Sequence, residues 1–352
     1  MSQDPQTGRR IVTIEDVARQ AGVAISSVST ALNGRRGVSE ATREHIRAVA
    51  RELGYVPSLR GRSLSAKRAF AVGLVVRRDP TVLGSDPFFG AFLAGIESVL
   101  SQRGYALVLH LSGNAEEDLA RHRRLAADHR VDGVFINELT HDDPRLALVR
   151  ELGLPAVAIS ETEVDCPALV LQDNSPPIRD LVERFLALGH RRFAHVSGPS
   201  TYLHATGRRD VWQQTLAHRG FPDQEVIESD FTYAGGAKAA EQVFRRPEQE
   251  RPTAVFCAND LMAAGFLTRA CDLGIPVPGA ISIAGFDGTD LGTYLRPTLT
   301  TITTSPDALG STATSLLLDA IDGGPLPTLV KTRHPALVVR DSIGPAPHLS
   351  GA

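Results

Sequence analysis

From Phe70 onward, short apolar runs alternate with longer amphipathic stretches, and this alternation limits the fold more than any other feature of the chain. The apolar runs cover residues 71–76, 106–111, 133–137, 156–159, 168–171, 193–197, 254–257, 281–286 and 299–303. Continuous apolar strands that alternate with helices are typical of parallel sheets covered on both faces. About 275 residues is long for one such sheet, so the sequence predicts two doubly wound α/β lobes with a cleft between them.

The first 57 residues carry a different pattern, that of three short helices. Thr13 is a good N-cap for a first helix, and a second helix begins near Ile25 and ends at Asn33-Gly34. Ser39 caps a third helix, which Gly54 closes. Two short helices around a Gly-containing turn, braced by a third, form a helix-turn-helix, whose second helix enters the major groove of DNA. The sequence therefore predicts a small all-α DNA-binding head.

The charge distribution supports this division. The whole chain has a formal net charge of −3, which by itself argues against nucleic-acid binding. Residues 1–68, however, carry 12 Lys and Arg against 6 Asp and Glu, whereas the remainder carries 25 against 34. A basic head on an acidic body indicates that only the head meets a polyanion.

Several other classes of protein are disfavoured. No apolar run approaches the roughly 20 residues of a membrane span, and the first ten residues carry no secretory signal. Cys166, Cys257 and Cys271 have no metal-ligand spacing and are typical of small buried residues in a reducing compartment. We therefore expect a cytoplasmic protein without metal or cofactor. We find no dinucleotide-binding or P-loop motif, no nucleophile elbow and no zinc-protease motif, so we expect no enzyme.

Four segments of the head closely resemble the head of the lactose-repressor (LacI/GalR) family of bacterial regulators: residues 12–23, 28–34, 38–43 and 52–57. The resemblance continues through nearly the whole chain, at residues 86–89, 189–194, 252–260, 285–287 and 299–302. Each short motif is weak evidence alone, but the order and spacing of the motifs together identify the chain as similar to that family.

The resemblance implies a ligand-responsive transcriptional regulator, most simply a repressor. It would bind a near-palindromic operator as a homodimer, with a small effector in the core cleft. The implied organisation is a head at 1–57, a hinge at 58–69, a core at 70–345 and a tail at 346–352. Lobe one would comprise about 70–170 and 298–325, and lobe two about 171–297 and 326–345. The absence of leucine heptads near Ala352 favours a dimer over a tetramer.

By the same resemblance, eleven residues are candidates for DNA contact. Ile25, Ser26 and Thr30 lie early on the second helix, where side chains reach base edges. Leu64 aligns with the leucine that the family wedges into a minor-groove step. The candidates for phosphate contact are Thr13, Ser27, Ser29, Asn33, Ser39, Arg43 and Tyr55. For Ser29 and Asn33, local helix capping remains an alternative.

The same resemblance makes six residues candidates for effector contact: Asp86, Phe88, Arg208, Phe231, Asn259 and Asp287. Asp86, Asn259 and Asp287 follow apolar runs, at the carboxyl ends of parallel strands where open α/β sheets bind ligands. Three alternatives remain open. Arg208 could form a surface ion pair instead, with Arg209 as the rival candidate for the effector contact. Asp287 could cap a turn, and Phe89 could belong to the core.

The negative charge of Asp86 disfavours an anionic effector, so a neutral sugar is favoured and a nucleoside-like effector remains an alternative. Two other functions stay open at this stage, a sugar-binding transport component and an α/β enzyme. The sequence does not distinguish induction from co-repression.

Overall fold

The computed structural model describes residues 12–32, 36–55, 68–78, 80–324, 328–332 and 335–347. Its contacts divide the chain into two compact units, residues 1–69 and residues 70–352.

In the described part of the first unit there are three helices, α1 (Ile14–Ala21), α2 (Ile25–Leu32) and α3 (Glu40–Leu53). Thr13 begins α1 with a capping box, and Gly22 ends it in the left-handed conformation that glycine adopts at no steric cost. The three helices enclose one small apolar core. Its fully or nearly fully buried members are Val17, Ala18, Ala21, Val28, Ala31, Ile46, Val49 and Ala50.

The second unit contains two six-stranded sheets. The first has the order β11-β5-β4-β3-β1-β2 and is parallel throughout. Its strands are β1 (Ala71–Val76), β2 (Ala106–Leu111), β3 (Gly133–Ile136), β4 (Ala156–Ser160), β5 (Leu169–Leu171) and β11 (Leu329–Lys331).

The second sheet has the order β12-β10-β9-β8-β6-β7, and only the β10–β12 pair is antiparallel. Its strands are β6 (Phe193–Ser197), β7 (Glu225–Glu228), β8 (Ala254–Cys257), β9 (Ser282–Asp287), β10 (Thr300–Thr303) and β12 (Ala336–Val338). The prediction of two parallel-sheet lobes is confirmed.

Helices connect the strands and cover the sheets. They are α4 (Pro80–Ser85), α5 (Pro87–Arg103), α6 (Ala115–Ala127), α7 (Pro144–Glu151), α8 (Ser175–Ala187), α9 (Leu203–His218), α10 (Tyr233–Phe244), α11 (Asp260–Asp272), α12 (Leu291–Tyr294) and α13 (Pro306–Ile321). Glu248–Glu250 form a short 3₁₀ turn. Each lobe has its own apolar core, which fixes the carboxyl ends of its strands relative to one another.

The chain crosses between the lobes at points that differ from the expected ones. Strand β10 belongs to the sheet of lobe two, although the sequence assigned residues 298–325 to lobe one. Strand β11 conversely pairs with β5 in lobe one, although the sequence assigned residues 326–345 to lobe two. An apolar run shows that a strand exists but not which sheet receives it, because that choice depends on contacts distant in sequence.

Candidate functional site

The start of α2 offers an outward surface of short side chains. Ile25 is 47% exposed, which is unusual for a large apolar residue, and Ser26 is exposed beside it. Val28 and Ala31 point the opposite way and are fully buried in the head core. Ser27, Ser29 and Thr30 are half-buried between these two faces. The helix therefore presents Ile25 and Ser26 most openly to any partner.

Thr13 and Ser39 cap helices within the head itself. The hydroxyl of Thr13 accepts a hydrogen bond from the backbone N–H of Asp16 at 3.4 Å, and the carboxylate of Asp16 accepts one from the backbone N–H of Thr13 at 3.0 Å. The hydroxyl of Ser39 accepts from the backbone N–H of Thr42 at 3.2 Å. Both residues are exposed, so each marks an accessible helix N-terminus, a place that suits a phosphate.

Arg43 and Tyr55 make contacts inside the head. The guanidinium of Arg43 lies 3.3 Å from the carboxylate of Glu40 and donates to the carbonyl of Ala31 at 3.4 Å. Tyr55 is half-buried against the head core, and desolvation raises the pKa of its hydroxyl. The two other DNA-contact candidates, Asn33 and Leu64, lie outside the described residues, as does most of the hinge.

In the second unit, a cavity of about 100 Å³ lies between the lobes, at the carboxyl ends of strands from both sheets. All six effector-contact candidates line it: Asp86, Phe88, Arg208, Phe231, Asn259 and Asp287. Phe89, which the sequence favoured as a core residue, is only 3% exposed and lines the same cavity.

Arg208 is a buried residue that joins the two lobes. Its guanidinium donates to the carboxylate of Glu161, with 3.0 Å between Nε and Oε1, and to the carbonyl of Ala258. Its carbon Cζ lies 3.6 Å from the centre of the Phe286 ring. Arg208 is thus part of a buried ion pair. Its rival Arg209 pairs with Asp210 and is not among the cavity-lining residues.

Asn259 positions the aromatic side of the cavity. Its side-chain oxygen caps α11 by accepting from the backbone N–H of Met262 at 2.9 Å, and its side-chain nitrogen donates to the carbonyl of Phe231 at 3.0 Å. Phe231 has a φ of 64°, and its ring lies so close to Gly198 that a Cβ there would overlap it. The ring of His204 lies 5.2 Å from that of Phe231.

Asp86 and Asp287 place two buried carboxylates in the cavity. One oxygen of Asp86 caps α5 by accepting from the backbone N–H of Phe88 at 3.1 Å. Burial raises the pKa of both carboxyl groups, against the opposing effect of Arg208. The turn after β9 is capped by Asp260, which accepts from the backbone N–H of Thr289 at 2.7 Å.

The structure adds Ser160, the last residue of β4, and five other polar lining residues that the sequence analysis missed: Arg78, Asn137, Glu138, Glu161 and His204. The guanidinium of Arg78 donates to the carboxylate of Glu138 at 2.6 Å. Four of the five follow a strand within two residues, so the rule that identified Asp86 and Asp287 could have found them. His204 lies on α9 and had no such signal.

Two kinds of feature are absent from the described part of the chain. No group of three or more His, Cys, Asp or Glu side chains there could hold a metal ion. Within the same ranges, no helix combines the length and the apolar character needed to cross a bilayer.

Two family models match the sequence. Residues 13–58 match the model of bacterial regulatory proteins of the lacI family, and residues 182–343 match that of a periplasmic binding protein-like domain. The sequence is 33% identical over 346 residues to the HTH-type transcriptional repressor PurR of Klebsiella pneumoniae, covering 96% of this chain and 98% of that protein. It is 32% identical to PurR of Vibrio vulnificus, over 95% of this chain and 99% of that protein.

Two solved structures share the architecture over most of their length. The lac repressor dimer bound to operator and the anti-inducer ONPF is 28% identical, with a TM-score of 0.81, and the match covers 95% of this chain and 99% of that one. The complex of the transcriptional regulator CelR with cellobiose is 31% identical, with a TM-score of 0.68, over 94% and 99% of the two chains.

Proposed function

The chain belongs to the lacI family of bacterial regulatory proteins, and we propose that it is a repressor whose affinity for one operator is set by a small effector, most simply a sugar. One observation carries the proposal: a basic helix-turn-helix head shares a chain with a core whose interlobe cavity gathers buried polar side chains from both lobes. A head alone would bind DNA without regulation, and a core alone would bind a ligand without a target.

The proposed reading surface is the start of α2. Ile25 would contact a thymine methyl group, while Ser26 and Thr30 would form hydrogen bonds to base edges. These side chains are short and lack the bidentate geometry of Arg or Gln, so DNA shape and bridging water would carry much of the specificity. Leu64 of the hinge would wedge into a minor-groove step at the centre of the site.

The remaining candidates would position the head on the phosphates. The helix N-termini marked by Thr13 and Ser39 suit this role because they are accessible. Arg43 would need to leave Glu40, whose own side chain is exposed. Ser27, Ser29, Asn33 and Tyr55 complete the proposed set.

The effector would occupy the cavity and change the relative stability of two arrangements of the lobes. Because cavity-lining residues come from both lobes, a ligand binds the closed arrangement more tightly than the open one. By linkage, the effector would change the operator affinity of a homodimer in the cytoplasm by the same factor as the operator changes its affinity for the effector. No catalytic step is required for this function.

A gel shift tests the proposal. The full-length protein is mixed with duplexes from a randomised-site selection, and the enriched site is expected to be a near-palindrome. Sugars that raise the melting temperature of the protein are then added, and they are expected to change operator affinity about fivefold to 150-fold in one direction. Failure to enrich any site would remove the proposed function. An Arg208→Ala variant should still bind the operator but should no longer respond to the effector.

A further inference from the structure

The strongest hydrogen-bond donors around the interlobe cavity already have partners within the protein. The guanidinium of Arg78 donates to Glu138, and that of Arg208 donates to Glu161 and to a backbone carbonyl. The side-chain nitrogen of Asn259 donates to the carbonyl of Phe231. An anionic ligand would therefore have to displace a glutamate from its guanidinium before it could bind.

Acceptors, in contrast, remain available in the same cavity. Oxygen Oε2 of Glu138 and oxygen Oδ1 of Asn137 are buried and have no hydrogen-bond partner among the described residues. Only one oxygen of Asp86 accepts a hydrogen bond from a described residue, and the carboxylate of Asp287 accepts none from this part of the chain. Buried acceptors without partners are costly, so the cavity suits a ligand that is rich in donors.

The balance of charge points in the same direction. Four carboxyl groups line the cavity, from Asp86, Glu138, Glu161 and Asp287, against the two guanidinium groups of Arg78 and Arg208. The ring of His204 adds no positive charge at neutral pH, because desolvation and then the two guanidinium groups lower its pKa well below the ordinary value. Each guanidinium is paired with a glutamate, so Asp86 and Asp287 lack a dedicated cation.

Aromatic rings complete an environment that favours positive charge. Phe88, Phe89, Phe92 and Phe231 line the cavity, and the face of an aromatic ring attracts cations. The guanidinium of Arg78 already lies 4.9 Å from the centre of the Phe231 ring and 5.5 Å from that of Phe89. The cavity therefore already holds one organic cation of the protein against its rings.

We propose that the effector carries a protonated amino group, bound by Asp86 and Asp287, on a small body whose other groups are hydroxyl or N–H donors. Amino sugars and other hydroxylated amines have this chemistry. The proposal rests on the proposed function, because it takes the interlobe cavity to be the effector site. Desolvation raises the pKa of Asp287 well above its ordinary value, and the charges of Asp86 and Asp260 add to the effect. This is expected of a buried carboxyl group that has no cation of its own.

The test uses three sets of matched ligands, and the members of each set share one carbon skeleton. Glucosamine, galactosamine and ethanolamine are compared with glucose, galactose and ethylene glycol, and with glucose 6-phosphate, galacturonate and glycolate. Melting temperature and the fluorescence of Trp212, the only tryptophan, report binding to the full-length protein. At least one amine is expected to bind about tenfold or more tightly than its neutral counterpart, because charge-assisted hydrogen bonds are the stronger ones. The anions are expected not to bind.

Two variants assign the preference to the carboxylates. Asp287→Asn and, separately, Asp86→Asn should reduce the advantage of the amine to less than about threefold while retaining a cooperative melting transition. Asp272→Asn, which changes an exposed carboxylate at the end of α11, should leave the advantage intact. If a neutral sugar or an anion binds more tightly than its amine, or if no amine binds, the inference is overturned. The proposed function has its own readout, since operator binding in the gel shift does not depend on whether the amine, the neutral ligand or the anion binds most tightly to the cavity.

Discussion

The guanidinium of Arg208 and the carboxylate of Glu161 form a buried ion pair that joins the two lobes. Arg208 lies on α9 beside the second sheet, and Glu161 directly follows β4 of the first. The side chains of Arg208 and Glu161 are only 8% and 14% exposed. This pair therefore couples the arrangement of the lobes to the electrostatics of the cavity between them.

Removing both partners of this pair should cost less than the sum of the two single removals. Glu161→Gln leaves a buried guanidinium without its counter-ion, which costs about 3–5 kcal/mol of unfolding free energy. The double variant Arg208→Met, Glu161→Gln should lose clearly less than the sum of the single losses. Urea unfolding followed by Trp212 fluorescence measures both quantities, since Trp212 is fully buried one turn from Arg208.

The matched control for the single and double variants of Arg208 and Glu161 is Arg209→Gln. Arg209 is next in sequence, and its partner Asp210 is 48% exposed. An exposed pair contributes about 1 kcal/mol or less, so this variant should unfold close to the wild type. Losses that simply add in the double variant would show that Arg208 and Glu161 act independently.

Asp260 should make the core less stable as the pH rises from about 4 to about 6. Desolvation raises the pKa of this buried carboxyl group from 3.8 to about 6, against the opposing hydrogen bonds of Thr301 and Thr289. A raised folded-state pKa means that the folded protein binds the proton more tightly than the unfolded one. The resulting stabilisation is complete below the unfolded pKa and is lost as the pH passes the folded pKa.

Asp260→Asn isolates this effect. Between pH 4 and pH 6, the unfolding free energy of the wild type should fall by about 2 kcal/mol relative to that of the variant. Asp272→Asn, at the other end of α11, should follow the wild type because its side chain is exposed. Parallel pH profiles for the wild type and Asp260→Asn would contradict the prediction.

Gly95 and Gly310 allow α5 and α13 to pack backbone to backbone in lobe one. A Cβ at Gly95 would lie 2.0 Å from the carbonyl oxygen of Asp307, and one at Gly310 would lie 2.3 Å from that of Phe92. Gly95→Ala should therefore cost about 3 kcal/mol or more, because two helices must separate. Thermal unfolding followed by circular dichroism measures this loss.

Gly90 provides a control on the same helix. It is exposed, and a Cβ there would meet nothing within 4 Å. Gly90→Ala should stabilise the protein by about 0.5–1 kcal/mol, because alanine loses less backbone entropy in a helix. If both alanine variants changed stability equally, the close approach of α5 and α13 would not be the cause.

Ile25 should affect operator binding without affecting the stability of the head. Because 47% of Ile25 is exposed, Ile25→Ala removes little packing, yet it should weaken binding to the selected operator about tenfold by removing an apolar base contact. Val28→Ala, three residues further along α2, removes a fully buried side chain and should lower the unfolding free energy by about 2 kcal/mol. Gel shifts should therefore show the loss of operator affinity in Ile25→Ala, and melting curves should show the loss of stability in Val28→Ala. A stable Ile25→Ala protein with unchanged operator affinity would exclude the proposed contact.

Local patterns in the sequence determined the elements of this protein and the residues that come to the cavity. The caps at Thr13, Ser39 and Gly54 and the continuous apolar runs depend on neighbours within a few residues, so the three head helices and nine strands could be predicted. The strands β7, β11 and β12 were missed because β7 and β11 carry charged residues and β12 is apolar but only three residues long. All six predicted effector-contact residues line the cavity. Asn259 and Asp287 do so because parallel strands end at a common edge, whereas Arg208 reaches the cavity from α9.

Only the tertiary structure decided which sheet receives β10 and β11 and which charges meet in the cavity. Arg208 is separated from Glu161 by 47 residues, and Arg78 from Glu138 by 60. Pairings at such separations leave no periodicity in the sequence. The Arg208 pair depends on how the two sheets face each other, and the Arg78 pair depends on the placement of β3 beside β1 in one sheet. The sequence thus supplied the charged residues of the cleft, while the tertiary structure decided that both guanidinium groups would already be paired.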